Sequence, residues 1–179
     1  MWKITKDFEF CYGHRCHQQQ LDADLSLNAP CKCRHLHGHE AKVAVTLVGT
    51  GLDHSSMVTD FNNLNFIKKF LDSYFDHKFI IDKHDPLYMA MVGVAVEDLI
   101  PAKLPGKLFL GTVPIEGGTS AHNEYLSSFT VVDFCPTSEN LSRFMAEYVK
   151  GMLGNIARVE SVTWHESPKS KATYYPEGV

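Results

Sequence analysis

An α+β fold is the architecture this sequence predicts: an antiparallel sheet with two helices on one face. Three observations predict it. Two alternating apolar segments lie near the N-terminus, two later segments carry the helical period, and residues 156–175 return to alternation.

In the first segment Trp2, Ile4, Phe8, Phe10, Tyr12 and His14 share one parity, interrupted only by Lys6. Lys3, Thr5, Asp7 and Glu9 take the other, so this is a strand with one buried face that ends at His14. The polar stretch from Gln18 to Pro30 reads as a connecting loop. A second strand begins at His37, with His37, His39, Ala41, Val43, Val45 and Leu47 on one face. Gly38, Glu40, Lys42, Ala44 and Thr46 lie on the other, and Gly49-Thr50-Gly51 closes the strand. The two strands carry their histidines near opposite ends of a plausible antiparallel pairing.

From Asp60 onward, Leu64, Ile67, Leu71 and Tyr74 recur at three- and four-residue steps, an amphipathic helix capped by Asp60 or Asn62. A second helix follows Pro136-Thr137, with Leu141, Phe144, Met145, Tyr148 and Met152 as its stripe. Thr137 suits the N-cap, Glu139 complements the positive helix end, and Gly151 or Gly154 ends the helix. Residues 156–166 form the next strand, and Ala172 to Tyr175 return as its short partner. Four strands and two helices result. The region 84–128 is irregular, with Pro101, Pro105, Pro114 and Gly117-Gly118, and a short helix is expected over 88–99. Phe129 to Phe134 reads as a strand leading into the second helix.

A length of 179 residues suits one domain, 1–179, with its own hydrophobic core. No apolar run approaches the roughly 20 residues that span a bilayer. The N-terminus lacks the apolar core of a signal peptide, so a cytoplasmic location is expected. A net charge of −4 without a basic stripe argues against nucleic acid as a partner. Five cysteines, an odd number and without an export signal, read as thiols. The unusual count is ten histidines, seven of them before residue 80.

The sharpest signal is Cys33-Arg-His-Leu-His37-Gly-His39. Residues two apart in a strand point the same way, so His37 and His39 offer two imidazoles to one ion, and Gly38 leaves room on the opposite face. His14, ending the neighbouring apolar face, is the natural third ligand. Three histidines around Zn2+ leave a coordination position open, the catalytic pattern. Other arrangements stay open: a Cys2His2 site of Cys31, Cys33, His37 and His39, a solvated turn, or ligation by His35, His17 or Cys16.

Five segments extend this pattern: Phe8-Glu-Phe-Cys-Tyr-Gly-His14, Cys33-x3-His37-Gly-His39, Phe75-Asp76-His77, Pro136-Thr-Ser-Glu-Asn140 and His165-Glu166. In this order they resemble the 6-pyruvoyltetrahydropterin synthase family, which includes the 6-carboxytetrahydropterin synthases of queuosine biosynthesis. The resemblance covers about residues 1–80 and 129–175. It implies zinc at His14, His37 and His39, and Cys33 as the catalytic base. Asp76 and His77 would complete a proton relay with that cysteine. Glu166 would hold the pterin ring or join the relay, and Thr137, Ser138 and Glu139 would contact the pterin. The implied fold is the tunnelling fold, a four-stranded antiparallel sheet backed by two helices, with an insertion at about 84–128. Such units commonly assemble as homo-oligomers, including hexamers, with sites between subunits.

These residue types suit the chemistry. The family's substrate, 7,8-dihydroneopterin triphosphate, carries vicinal hydroxyls that a Lewis acid would acidify together with the adjacent C–H. A thiolate takes a proton, His77 passes protons with Asp76 fixing its tautomer, and Glu166 matches the N–H donors of the amino-pyrimidinone edge. Each residue also has a plainer role open to it: a surface pair for Asp76 and His77, an exposed ion pair with Lys169 or Lys171 for Glu166, an inert thiol for Cys33.

About sixty residues separate Asp76 from Pro136, a connection that is often short in the family. Cys11 and Cys31 are further thiols near the proposed site. The expected activity is a lyase reaction giving 6-carboxy-5,6,7,8-tetrahydropterin, acetaldehyde and triphosphate. The alternatives are a 6-pyruvoyltetrahydropterin synthase, which eliminates triphosphate, and a zinc- and pterin-binding protein without catalysis.

Overall fold

The computed structural model describes residues 1–118 and 120–176. Strand β1 (Trp2–His14) pairs antiparallel with β2 (His37–Gly49), and the alternation read from the sequence sets their register. Phe8, Phe10, Tyr12, Val43, Val45 and Leu47 face inward and are buried. Asp60 caps a short 3-10 turn, Phe61–Leu64, by accepting from the Asn62 N–H, and the turn runs into α1 (Asn65–Tyr74). Next come β3 (Lys78–Asp82), α2 (Tyr88–Val92), β4 (Ile100–Pro101), β5 (Leu110–Thr112), α3 (Ala121–Ser127) and β6 (Phe129–Val132). Helix α4 (Ser138–Leu153) and strands β7 (Arg158–His165) and β8 (Lys171–Tyr174) complete the chain. Among the described residues no helix is long and apolar enough to cross a membrane.

The sheet differs from the four-stranded antiparallel one expected. Among the described residues it has eight strands in the order β4-β5-β6-β3-β1-β2-β7-β8. The expected four, β1-β2-β7-β8, are present and antiparallel. Strand β3 then adds parallel to β1, β6 adds parallel to β3, and β5 and β4 extend that edge.

Both α1 and α4 pack on one face, as expected. Ile67, Phe70 and Leu71 of α1 meet Leu141, Phe144, Met145 and Tyr148 of α4 above Val45, Val162 and Trp164 of the sheet. The Phe70 and Tyr148 rings stack at 4.0 Å. Met152 departs from the expected stripe: it is exposed, and Leu153 takes the buried position. Gly151 lies inside α4, and Gly154 ends it.

The segment 84–128 has a core of its own on the opposite side of the added strands. Ile80 and Val132 face the α1–α4 core, whereas their neighbours Ile81 and Val131 pack with Tyr88, Val92, Leu99 and Val113. Strands β3 and β6 are therefore buried on both faces, the usual state of parallel strands. The expected helix over 88–99 stops at Val92. Gly93, at φ 69°, takes the left-handed turn and donates its N–H to the Met89 carbonyl, and Val96–Asp98 forms a separate 3-10 turn.

The outer face of β1-β2-β7-β8 is polar. Thr5 pairs with Thr46 at 2.9 Å, Thr163 with Thr173 at 2.8 Å, and Lys42 with Asp7 at 3.1 Å.

Candidate metal centre and adjoining cavity

Antiparallel pairing sets His14 directly opposite His37 and Tyr12 opposite His39. The histidines thus share one end of the β1–β2 pair rather than opposite ends, because a strand that finishes at His14 pairs with one that starts at His37. All three rings project to the helix side, and His14 is fully buried. Glycine at position 38 is required by close approach, since a Cβ there would stand 2.9 Å from the Tyr12 carbonyl oxygen.

The His14 Nε2 lies 3.1 Å from His37 Nε2 and 3.2 Å from His39 Nε2. Backbone carbonyls fix two of the tautomers. The His14 Nδ1 donates to the Pro136 carbonyl at 2.6 Å, and the His37 Nδ1 donates to the His35 carbonyl at 2.8 Å. A carbonyl only accepts, so both rings carry their proton on Nδ1 and present a bare Nε2 lone pair to each other. Lone pairs held this close suit a cation between them. Ligand nitrogens about 2.05 Å from a tetrahedral Zn2+ would stand about 3.3 Å apart, near the spacing found. The donor set fits zinc.

Glu166, at the end of β7, adds a carboxylate. Its Oε1 is 3.2 Å from His14 Nε2 and 3.4 Å from His39 Nε2, so His14, His37, His39 and Glu166 form one group able to hold a metal ion. The neighbouring His14 imidazole, chiefly, holds the Glu166 carboxyl below its ordinary range, against burial, which raises it. Burial lowers the His39 imidazole, favouring the neutral form that ligates. Beneath the cluster, the Trp164 indole N–H donates to the Tyr12 hydroxyl at 3.1 Å. Neither Cys31 nor Cys33 joins the group. His35 is exposed and serves through its carbonyl, and His17 faces the buried Asp82 and Asp85.

Beside the histidines opens a cavity of about 530 Å³. Its wall includes Cys33, Thr137, Ser138, Glu139 and Glu166, five of the residues singled out in the sequence. Thr137 caps α4, its hydroxyl accepting from the Asn140 N–H at 3.3 Å. Cys33 is clamped at both backbone groups: its N–H donates to the Gln19 Oε1 at 3.0 Å, and its carbonyl accepts from the Cys16 N–H at 2.7 Å.

Asp76 and His77 stand apart from this cavity. They precede β3 beside Cys11, and His77 lines a separate recess with Tyr12, Gly38 and Phe79. The two cavities share no residue. Asp76 Oδ1 accepts from the Cys11 N–H and from His77 Nδ1, each at 3.0 Å. The Cys11 bond, chiefly, holds its carboxyl below the ordinary range. His77 is 82% exposed at the side chain and has φ 57°, a left-handed conformation unusual outside glycine. Its N–H donates to the Cys11 carbonyl at 2.7 Å, which holds it there.

Sequence reasoning missed Gln19, the Pro136 carbonyl and the Cys135 thiol on the cavity wall, and weighed Cys16 only as an alternative ligand. Cys135, next to the Pro-Thr that opens α4, carried a positional signal. Gln19 carried none.

A family model described as 6-pyruvoyl tetrahydropterin synthase matches residues 3–177. A protein of Aquifex aeolicus (strain VF5) named 6-carboxy-5,6,7,8-tetrahydropterin synthase is 33% identical over 187 aligned residues, covering 98% of this chain and 99% of its own. The crystal structure of an uncharacterized protein from Wolinella succinogenes has a TM-score of 0.90 at 40% identity, covering 98% of both chains. The 6-pyruvoyl tetrahydropterin synthase of Caenorhabditis elegans covers 98% of this chain and 96% of its own at 21% identity, and its TM-score of 0.57 shows the shared fold. By the match over nearly its whole length, the chain belongs to the 6-pyruvoyl tetrahydropterin synthase family.

Proposed function

We propose that this chain is a zinc-dependent lyase. It converts 7,8-dihydroneopterin triphosphate to 6-carboxy-5,6,7,8-tetrahydropterin, releasing acetaldehyde and triphosphate, a step toward queuosine. The observation that carries this reading is the convergence of three Nε2 atoms, 3.1–3.2 Å from His14 to its two neighbours, beside a cavity walled by Cys33 and the α4 N-terminus. The name of the Aquifex aeolicus relative, with its near-complete overlap, supports this product over the 6-pyruvoyl one.

Zinc, held by His14, His37 and His39, would supply Lewis acidity toward the substrate's side-chain oxygens. The chain's own residues do the rest. Cys33, fixed at both backbone groups, takes a proton from the substrate side chain as a thiolate. Glu166, ionised and lining the same cavity, accepts from the paired N–H donors of the pterin ring. Thr137, Ser138 and Glu139 position the ring at the start of α4.

Asp76 and His77 complete the relay across a subunit boundary. The His77 side chain is exposed and lies outside its own chain's Cys33 cavity, which supports a role at a neighbour's site. Strand β8 has an open edge in the single chain, and an unpaired edge favours association with another copy. The working form is then a cytoplasmic homo-oligomer, with a hexamer the assembly that the family resemblance implies.

The test is incubation of zinc-loaded protein with 7,8-dihydroneopterin triphosphate, with products identified by mass spectrometry. A 6-carboxy product with acetaldehyde is expected. A 6-pyruvoyl product would move the reaction to the other branch, and tight pterin binding without turnover would overturn the enzyme assignment.

A further inference from the structure

The three histidines differ in how firmly the chain holds them. His14 and His37 are each fixed through Nδ1 by a backbone carbonyl, the usual means of orienting a ligating imidazole. His39 is not. Among the described residues no acceptor meets its Nδ1, and its polar contacts run through Nε2, toward His14 and Glu166. It also borders open space, lining the recess with His77 and a second one with Glu9, Lys42 and His165.

An aromatic side chain stands where the missing anchor would act. Tyr12 is directly opposite His39 in the β1–β2 pairing, with ring centroids 5.8 Å apart and planes inclined at 41°. Tyr12 is itself tethered. Its hydroxyl accepts from the Trp164 indole N–H at 3.1 Å, and the two rings meet at 90° with centroids 5.3 Å apart. They reach each other from β1 and β7 across β2, where the inward residue between them is the small, buried Ala41. Trp164 is fully buried and packs against Phe10 and Phe75, so the donor is rigidly seated. A phenylalanine at position 12 would fill the same space. The hydroxyl adds the tether, which fixes the tilt of the ring that His39 rests against.

We propose that Tyr12 is the positioning residue of His39, and that the Trp164–Tyr12 hydrogen bond takes the place of the carbonyl that His39 lacks. Pinned at its hydroxyl, the Tyr12 ring keeps the His39 imidazole from turning and its Nε2 aimed at the point that the His14 and His37 nitrogens share. Without the tether the His39 ring swings toward the recesses it borders, leaving two histidines and Glu166 to hold the ion. This role rests on the zinc centre proposed above.

The test reads metal rather than turnover. Zn2+ affinity of the full-length protein is measured by chelator competition, and the visible spectrum of the Co2+-loaded protein reports ligand geometry. Tyr12→Phe keeps the ring and removes the tether. Its Zn2+ affinity should fall by about 10–100-fold, the cost of losing an orienting partner, and its Co2+ bands should shift. Trp164→Phe, which removes the donor instead, should weaken the metal likewise. In a His39→Ala background, Tyr12→Phe should change neither affinity nor spectrum, because the ring it steers is gone. A general loosening of the core would weaken the metal there too. Parent-like affinity and Co2+ spectrum in Tyr12→Phe overturn the proposal, as does an equal loss with and without His39. A parent protein that binds no metal, or a His14→Ala variant that binds it unchanged, overturns the three-histidine centre itself and the role of Tyr12 with it.

Discussion

The His14 ring donates to the Pro136 carbonyl across 2.6 Å. This one bond joins the buried end of β1 to the residue before the α4 cap. It fixes the His14 tautomer, aims its Nε2 at His37 and His39, and ties the metal group to the wall that carries Thr137, Ser138 and Glu139. Pairing a ligating histidine with a carbonyl is the usual means of orienting it.

The first prediction concerns this histidine. His14→Ala should reduce bound zinc well below one per chain. Affinity, measured by chelator competition, should fall by more than the about 10–100-fold that loss of an orienting partner alone costs. Unchanged stoichiometry and affinity would place the third ligand elsewhere, with His35 or His17 next in line.

Glu166 is the residue whose position separates two roles. Its Oε1 approaches the Nε2 atoms of His14 and His39 at 3.2 and 3.4 Å, and the residue also lines the cavity. Glu166→Gln keeps the shape and removes the charge. Zinc should remain at one per chain while pterin binding, read by fluorescence titration, weakens by at least about tenfold, from the about 1.5–3 kcal/mol of a charged hydrogen bond. Loss of the metal with pterin affinity intact would make Glu166 a structural ligand instead.

Cys33→Ala removes the proposed base and leaves the backbone clamp, since Gln19 and Cys16 hold only its N–H and carbonyl. Zinc content and pterin affinity should match the parent protein, while single-turnover kinetics should show a loss of about 100-fold or more, the scale of general acid–base catalysis. Retained turnover would assign the proton transfer to another group, the first candidate being Cys135 on the same wall.

Much of this was legible in the sequence, and the rest has physical reasons for its silence. Strands β1, β2 and β7 each bury one face, so their alternation shows, and α1 and α4 show the helical period for the same reason. Strand β3 does not, because Ile80 and Ile81 are buried on opposite faces and a short apolar run carries no period. The parallel pairing of β3 with β1 and β6 joins distant segments and leaves no local mark. Parity alone identified His37 and His39 as a pair. The closeness of Glu166 to them depends on the β2–β7 register, and the carbonyls of Pro136 and His35 act without any residue-type signal.

Asp76 offers a test in which pH decides. Its carboxyl lies below the ordinary value of 3.8, chiefly through the Cys11 N–H, with the His77 ring contributing. A carboxylate whose folded value is depressed contributes stability above its unfolded value, about 3.9, and that contribution is lost as pH falls through the lower folded value. Asp76→Asn keeps the shape but removes the charge that Cys11 and His77 address. The gap in urea midpoint between parent and variant should be full at pH 7 and shrink progressively below about pH 4, where the carboxyl of the unfolded chain protonates ahead of the folded one. Because His77 sits at φ 57° under the hold of Cys11, the same variant should also make the His77 ring signal in NMR more mobile at pH 7. A midpoint gap that stays constant from pH 7 to pH 3 would mean that Asp76 acts by packing, and the relay assigned to the Asp76–His77 pair would lose its anchoring carboxylate.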